Sequence, residues 1–125
     1  MILIVDSWAW LSILENMPVS DQILSHLENP QNRFYITYLT IYETYYRAKK
    51  MNGETDARNF IETIKQKAQI LEINSDLAIL AGEVHMNEKL GLADAFVYAA
   101  ALSLGGSVLT GDPHFKNKKN VIFIG

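Results

Sequence analysis

Four carboxylates in this 125-residue chain occupy places from which they could hold a hard cation: Asp6, Glu43, Asp94 and Asp112. Gathered together, they would suit Mg²⁺ or Mn²⁺ rather than zinc, because these ions prefer oxygen ligands. An ion held there could supply a water nucleophile and offset charge on a phosphate ester. Without it, four close carboxylates repel one another, so at least one should have a raised pKa.

Each acid also has a local explanation. Asp6 directly follows the apolar run Ile2-Leu3-Ile4-Val5 and could cap a helix starting near Trp8. Ser7 could support it by hydrogen bonding. Thr40-x-x-Glu43 matches a capping box, and Arg47, four residues on, offers Glu43 an ordinary helix-surface ion pair. Asp94 lies in the most apolar stretch of the chain, between Leu92-Ala93 and Ala95-Phe96-Val97. A carboxylate there must be exposed at a helix start, paired, or bound to a metal. Asp112, in Thr110-Gly111-Asp112-Pro113, fits ordinary turn chemistry, and Thr110 brings a hydroxyl to the same place.

The elements that must position these residues can be read from periodicity. Strands are expected at Ile2–Val5, Phe34–Tyr38, Ile70–Ile73, Ser107–Thr110 and Val121–Ile124. Helices are expected at Trp8–Asn16, Val19–Glu28, Thr40–Met51, Glu54–Ala68, from a Ser75 cap to about Lys89, and at Leu92–Leu104. Strands alternate with helices, and the connections are too long for hairpins. This pattern implies an α/β fold with a mostly parallel five-stranded sheet flanked by helices. In such sheets ligands sit beyond the carboxyl ends of the strands, where strand order reverses. All four acids fall at that edge. By contrast, Asp21, Glu54, Asp56 and Asp76 sit in early helix turns, while Glu62 and Glu72 read as surface charges.

Composition sets further bounds. Hydrophobic residues make up 49% and charged residues 20%, a globular balance that fits one domain over residues 1–125. The absence of cysteine excludes disulfides and thiolate metal sites and suits a cytoplasmic setting. The opening apolar run is too short for a signal peptide, and Ala95–Leu102 is far short of the roughly 20 residues of a membrane span. The net charge of −3 excludes nucleic-acid binding through a bulk basic surplus. Any phosphate would have to be drawn by bound cations or by local basic groups. Arg47, Lys49 and Lys50 form one such group, and Lys116, Lys118 and Lys119 another. Trp8, Trp10, Tyr42, Tyr45 and Tyr46 could stack on bases, although packing explains them as well.

Together, Ile4-Val5-Asp6-Ser7-Trp8, Leu39-Thr40-Ile41-Tyr42-Glu43, Leu90-Gly91-Leu92-Ala93-Asp94-Ala95 and Leu109-Thr110-Gly111-Asp112-Pro113-His114 resemble the four acidic motifs of the PIN-domain family, in the family's order. The compact length is similar to that of VapC-type toxins. The resemblance implies a three-layer sandwich and a Mg²⁺- or Mn²⁺-dependent endoribonuclease, often dimeric and inhibited by a small antitoxin. It places Asp6, Glu43 and Asp94 in the core acidic triad, Asp112 as the fourth, more variable acid, and Thr110 as a supporting hydroxyl. Relatives often carry a further acid near the place of His114, so the histidine here favours one well-held metal over two. Other readings stay open: an RNA-processing nuclease outside a toxin pair, or a PIN scaffold that only binds. A phosphoacceptor receiver domain also gathers acids at a sheet edge, but it needs an aspartate directly after its third strand, where this chain has Asn74-Ser75-Asp76.

Overall fold

The computed structural model describes residues 1–125. Its elements in chain order are β1 (Ile2–Val5), α1 (Ser7–Leu14), α2 (Ser20–Leu27), β2 (Arg33–Thr37), α3 (Tyr38–Asn52), α4 (Glu54–Lys67), β3 (Gln69–Leu71), α5 (Ser75–Glu88), α6 (Leu92–Leu104), β4 (Ser107–Thr110) and β5 (Val121–Phe123), with a 3₁₀ turn at Pro113–Phe115. The strands form one sheet in the order β3-β2-β1-β4-β5, and every pairing is parallel. The sheet expected to be mostly parallel is therefore wholly so.

Side chains alternate across the pleat, so each inner strand feeds two cores. Ile4, Tyr35 and Val108 face α5 and α6, in a core that also takes Leu77, Val84, Val97 and Phe115. Leu3, Val5, Phe34, Ile36 and Leu109 face the other way and pack with Ala9, Trp10, Ile23, Leu27 and Ile64 from α1, α2 and α4. Burial on both faces explains why the inner strands read as continuous apolar runs. The result is a three-layer sandwich.

Two caps lie elsewhere than the sequence pattern suggests. β2 ends at Thr37, and α3 begins at once with Tyr38. Thr37 has extended backbone, and its Oγ1 accepts from the Thr40 N–H at 3.2 Å. Thr40 thus sits inside the first turn and cannot cap, which removes the capping box that would have occupied Glu43. Likewise Asn74, not Ser75, caps α5, its Oδ1 accepting from the Leu77 N–H at 2.9 Å. In both cases the residue three before the donating N–H carries the cap, as the geometry requires.

Strand order reverses at β1, whose two neighbours lead outward in opposite directions. The carboxyl ends of β1, β2 and β4 lie side by side there. Helix α6 leads into β4 and therefore runs against the strands, so its first turn reaches the same edge, as does the start of α3 after β2.

Candidate active site

Asp6 leaves β1 at the N-cap position of α1 with extended backbone, yet its side chain makes no capping bond. Its Oδ2 instead accepts from the Thr110 hydroxyl at 2.8 Å, across the seam between β1 and β4. The carboxyl group is 2% exposed and has no cation beside it. Burial is the main reason its pKa is pushed up to about 7; the Thr110 hydrogen bond opposes this, and the charges of Asp94, Asp112 and Glu43 add to it. The local reading of Asp6 as a simple helix cap does not describe this group.

Glu43 projects from α3 toward α1. Its Oε1 accepts from the Ser7 hydroxyl, and its Oε2 lies 3.5 Å from Arg47 Nη2. Ser7 thus serves Glu43 rather than Asp6, because as first residue of α1 it faces α3. The exposed Arg47 contact is long and is worth only a few tenths of a kcal/mol. Asp94 stands in the first turn of α6, half-buried. Burial and then the charges of Asp112 and Glu43 push its pKa up to about 6, against the pull of His114 and Arg47.

Asp112 is placed by the turn after β4. Its own N–H donates to Thr110 Oγ1 at 3.0 Å, and its Oδ1 accepts from the His114 N–H at 2.9 Å. The Thr110 hydroxyl therefore ties Asp6 and Asp112 together. Gly111 lets this turn press close: a Cβ there would collide with the Ile124 carbonyl oxygen and the Trp8 ring. The His114 ring Nδ1 lies 2.8 Å from Asp112 Oδ1, and Asp94, Asp112 and His114 each present a ligand atom within 4.8 Å of the others. In the sequence His26, His85 and His114 lack any pairwise metal spacing, and only the nearness of His114 to Asp112 marks it as a residue that could matter.

The donor set fits a hard divalent ion. Four carboxylates stand at one edge: Asp94 and Asp112 lie in the cluster with His114, while Asp6 and Glu43 stand outside that cluster and act on the others through charge. Two of the four hold raised pKa values partly through mutual repulsion, and Asp6 and Asp94 make no ion pair. A bound cation would relieve that repulsion.

The signature of the PIN domain matches residues 3–121. The chain belongs to the PIN-domain family. Solved structures sharing the PIN fold seen here include the VapBC2 toxin–antitoxin pair of Rickettsia felis bound to a DNA fragment from its promoter, with 17% identity over 98% of this chain and 97% of that one and a TM-score of 0.79. A toxin–antitoxin complex from Klebsiella pneumoniae has 23% identity over 96% and 95%, with a TM-score of 0.76. VapC20 of Mycobacterium tuberculosis, a toxin that cleaves the sarcin–ricin loop, has 15% identity over 98% and 99%, with a TM-score of 0.80. No curated protein matches this PIN domain in sequence.

The basic groups divide. Arg47 and Lys50 line an open groove with Trp8, Leu11, Ser12, Glu15 and Tyr46, beginning beside Glu43. Lys49 turns away and lies 3.5 Å from Glu54. Lys118 is tied to Glu88 at 3.0 Å, whereas Lys116 and Lys119 are exposed beyond the 3₁₀ turn. Among the aromatics, Trp10 belongs to the core, Trp8 and Tyr46 face the groove, and Tyr42 is exposed. No helix is long and apolar enough to cross a membrane.

Proposed function

We propose that this single PIN-like domain, residues 1–125, is a Mg²⁺- or Mn²⁺-dependent endoribonuclease that hydrolyses RNA phosphodiester bonds, and that it is the toxin of a VapBC-type pair. The observation that carries the reading is the meeting of Asp6, Glu43, Asp94 and Asp112 at the switch point of a parallel sheet, in a PIN-family chain. When bound, the ion supplies Lewis acidity toward the phosphate and an activated water. Asp6, Glu43, Asp94 and Asp112 are assigned to hold it. Thr110 fixes Asp6, and Ser7 fixes Glu43, so that neither carboxylate must be ordered at the moment of reaction.

Arg47 and Lys50 are assigned to the RNA backbone, with Trp8 and Tyr46 offering faces on which a base can stack. Lys116 is exposed past Asp112 and is assigned to a second backbone contact; Lys49 has the weakest claim because Glu54 already engages it. Local cations of this kind answer the net charge of −3. The solved toxin–antitoxin complexes of the same fold support a small antitoxin as partner; the cytoplasm is the setting proposed for the pair. A homodimer is supported by the apolar side chains that Ile79, Met86 and Leu92 leave exposed on α5 and α6.

The test is cleavage of a structured RNA by purified protein with Mg²⁺, Mn²⁺ or EDTA. Asp94→Asn is expected to lose at least about 100-fold in rate while keeping its circular dichroism spectrum. Near wild-type cleavage by that variant would remove the assignment. RNA binding without cleavage by the wild type would instead favour a PIN scaffold that only binds.

A further inference from the structure

We propose that His114 is a direct ligand of the divalent ion, forming with Asp94 and Asp112 a mixed nitrogen–oxygen site that prefers Mn²⁺ to Mg²⁺. The inference rests on the reading of the acidic edge as a metal site, and it adds a residue to that site which changes the site's chemistry.

The placement of the ring is built into the fold. Asp112 and His114 flank Pro113, whose fixed φ opens the 3₁₀ turn. Phe115, next in the chain, is fully buried and packs near Tyr98, with ring centroids 6.4 Å apart. The Tyr98 hydroxyl donates to the Lys119 carbonyl at 2.9 Å, which ties down the far side of the same loop. The His114 N–H is held by Asp112 Oδ1. With its backbone fixed at both sides, the imidazole stands on the Asp94 side of the turn, and a ring nitrogen, a carboxylate oxygen of Asp112 and one of Asp94 fall within 4.8 Å of one another. Ligands about 2.1 Å from a common ion are separated by roughly 3 to 4 Å, so small side-chain rotations suffice. The ring is 76% exposed and has room to make them.

The chemistry follows from the donor. Mg²⁺ demands hard oxygen ligands and parts with its waters reluctantly, whereas imidazole suits first-row transition ions. Replacing one oxygen ligand by a ring nitrogen lowers the site's relative preference for Mg²⁺. Among ions that also accept carboxylates readily, Mn²⁺ fits this mixed set.

The experiment uses tag-free protein, since a histidine tag would bind the probe. Mn²⁺ alone is titrated into the wild type, His114→Ala, His114→Asp and Asp94→Asn, with Mg²⁺ titrated in parallel and pulsed electron paramagnetic resonance recorded on the Mn²⁺ complexes. The wild type is expected to show the coupling of a directly bonded ¹⁴N, and His114→Ala to lose it. His114→Ala should weaken Mn²⁺ binding about tenfold or more with little change for Mg²⁺, while His114→Asp should restore binding and shift preference toward Mg²⁺. Mn²⁺ binding with no ¹⁴N coupling in the wild type, or an unchanged Mn²⁺/Mg²⁺ ratio in His114→Ala, overturns the role of His114 and leaves the acidic site standing. Failure of the wild type to bind either ion overturns both readings, and Asp94→Asn shows whether binding occurs at this edge at all.

Discussion

Asp6→Asn should make the metal-free protein more stable at alkaline pH even as it removes a proposed metal ligand. The carboxyl group has an ordinary pKa of 3.8 and one of about 7 in the folded chain, chiefly because it is buried. Between these values the folded state keeps a proton that the unfolded state has released. Stability therefore falls as pH rises through this window, by about 1.4 kcal/mol per unit, and levels off above pH 7. From pH 5 to pH 8 the loss from Asp6 is about 3 kcal/mol. Below about pH 4 both states are protonated and this penalty is absent. Asp94, raised to about 6 by the same causes, contributes in the same direction, less so because it is only half-buried. An asparagine at position 6 can still accept the Thr110 hydrogen bond through its amide oxygen, and it carries no charge to desolvate. Thermal unfolding in EDTA should thus show the wild type losing roughly 10 °C more than Asp6→Asn between pH 5 and pH 8, the conversion for a domain of this size being about 3–5 °C per kcal/mol. Added Mg²⁺ or Mn²⁺ should raise the wild-type midpoint at pH 8 and leave the variant nearly unmoved. Parallel pH curves for the two proteins would refute the electrostatic reasoning.

Two further outcomes follow from the supporting contacts. Ser7→Ala deletes the hydroxyl that orients Glu43; Mn²⁺ affinity measured by calorimetry should drop about 10- to 100-fold with a stability change near 1 kcal/mol, and unaltered affinity would show that Glu43 needs no such support. Gly111→Ala forces a methyl group against the Ile124 carbonyl and the Trp8 ring, so urea unfolding should report a loss of about 1–3 kcal/mol; a wild-type midpoint would mean that the turn has slack.

The parts of the structure governed by local pattern were readable in advance. Leu92–Leu104 and Ser107–Thr110 have the bounds that periodicity and the Gly105-Gly106 break imply, with Gly105 in the left-handed conformation that ends the helix. Boundaries set by competing local preferences were less so. Tyr38 reads as the end of the strand because tyrosine favours pleated sheet, yet the Thr37 hydroxyl starts α3 there. The acids themselves were legible from their places after strands. Their partners were not: Ser7 reaches Glu43 across 36 positions and Thr110 reaches Asp6 across 104, and no local spacing encodes such contacts. The nearness of His114 to Asp94 likewise depends on how the 3₁₀ turn and α6 meet.

The hydrogen bond from Thr110 to Asp6 also sets a timetable. The strand beside β1 at the seam is β4, synthesised about a hundred residues after it, while β2 is available early. A chain that has emerged only as far as α6 already carries Asp6, Glu43 and Asp94, but Asp6 still lacks the hydroxyl that holds it. Contacts between distant parts of a chain must overcome the entropy of closing the long loop between them, so they form late. On the proposed function, a growing chain stays harmless to the RNA of its own ribosome until β4 has been made and the sheet has closed on both sides of β1.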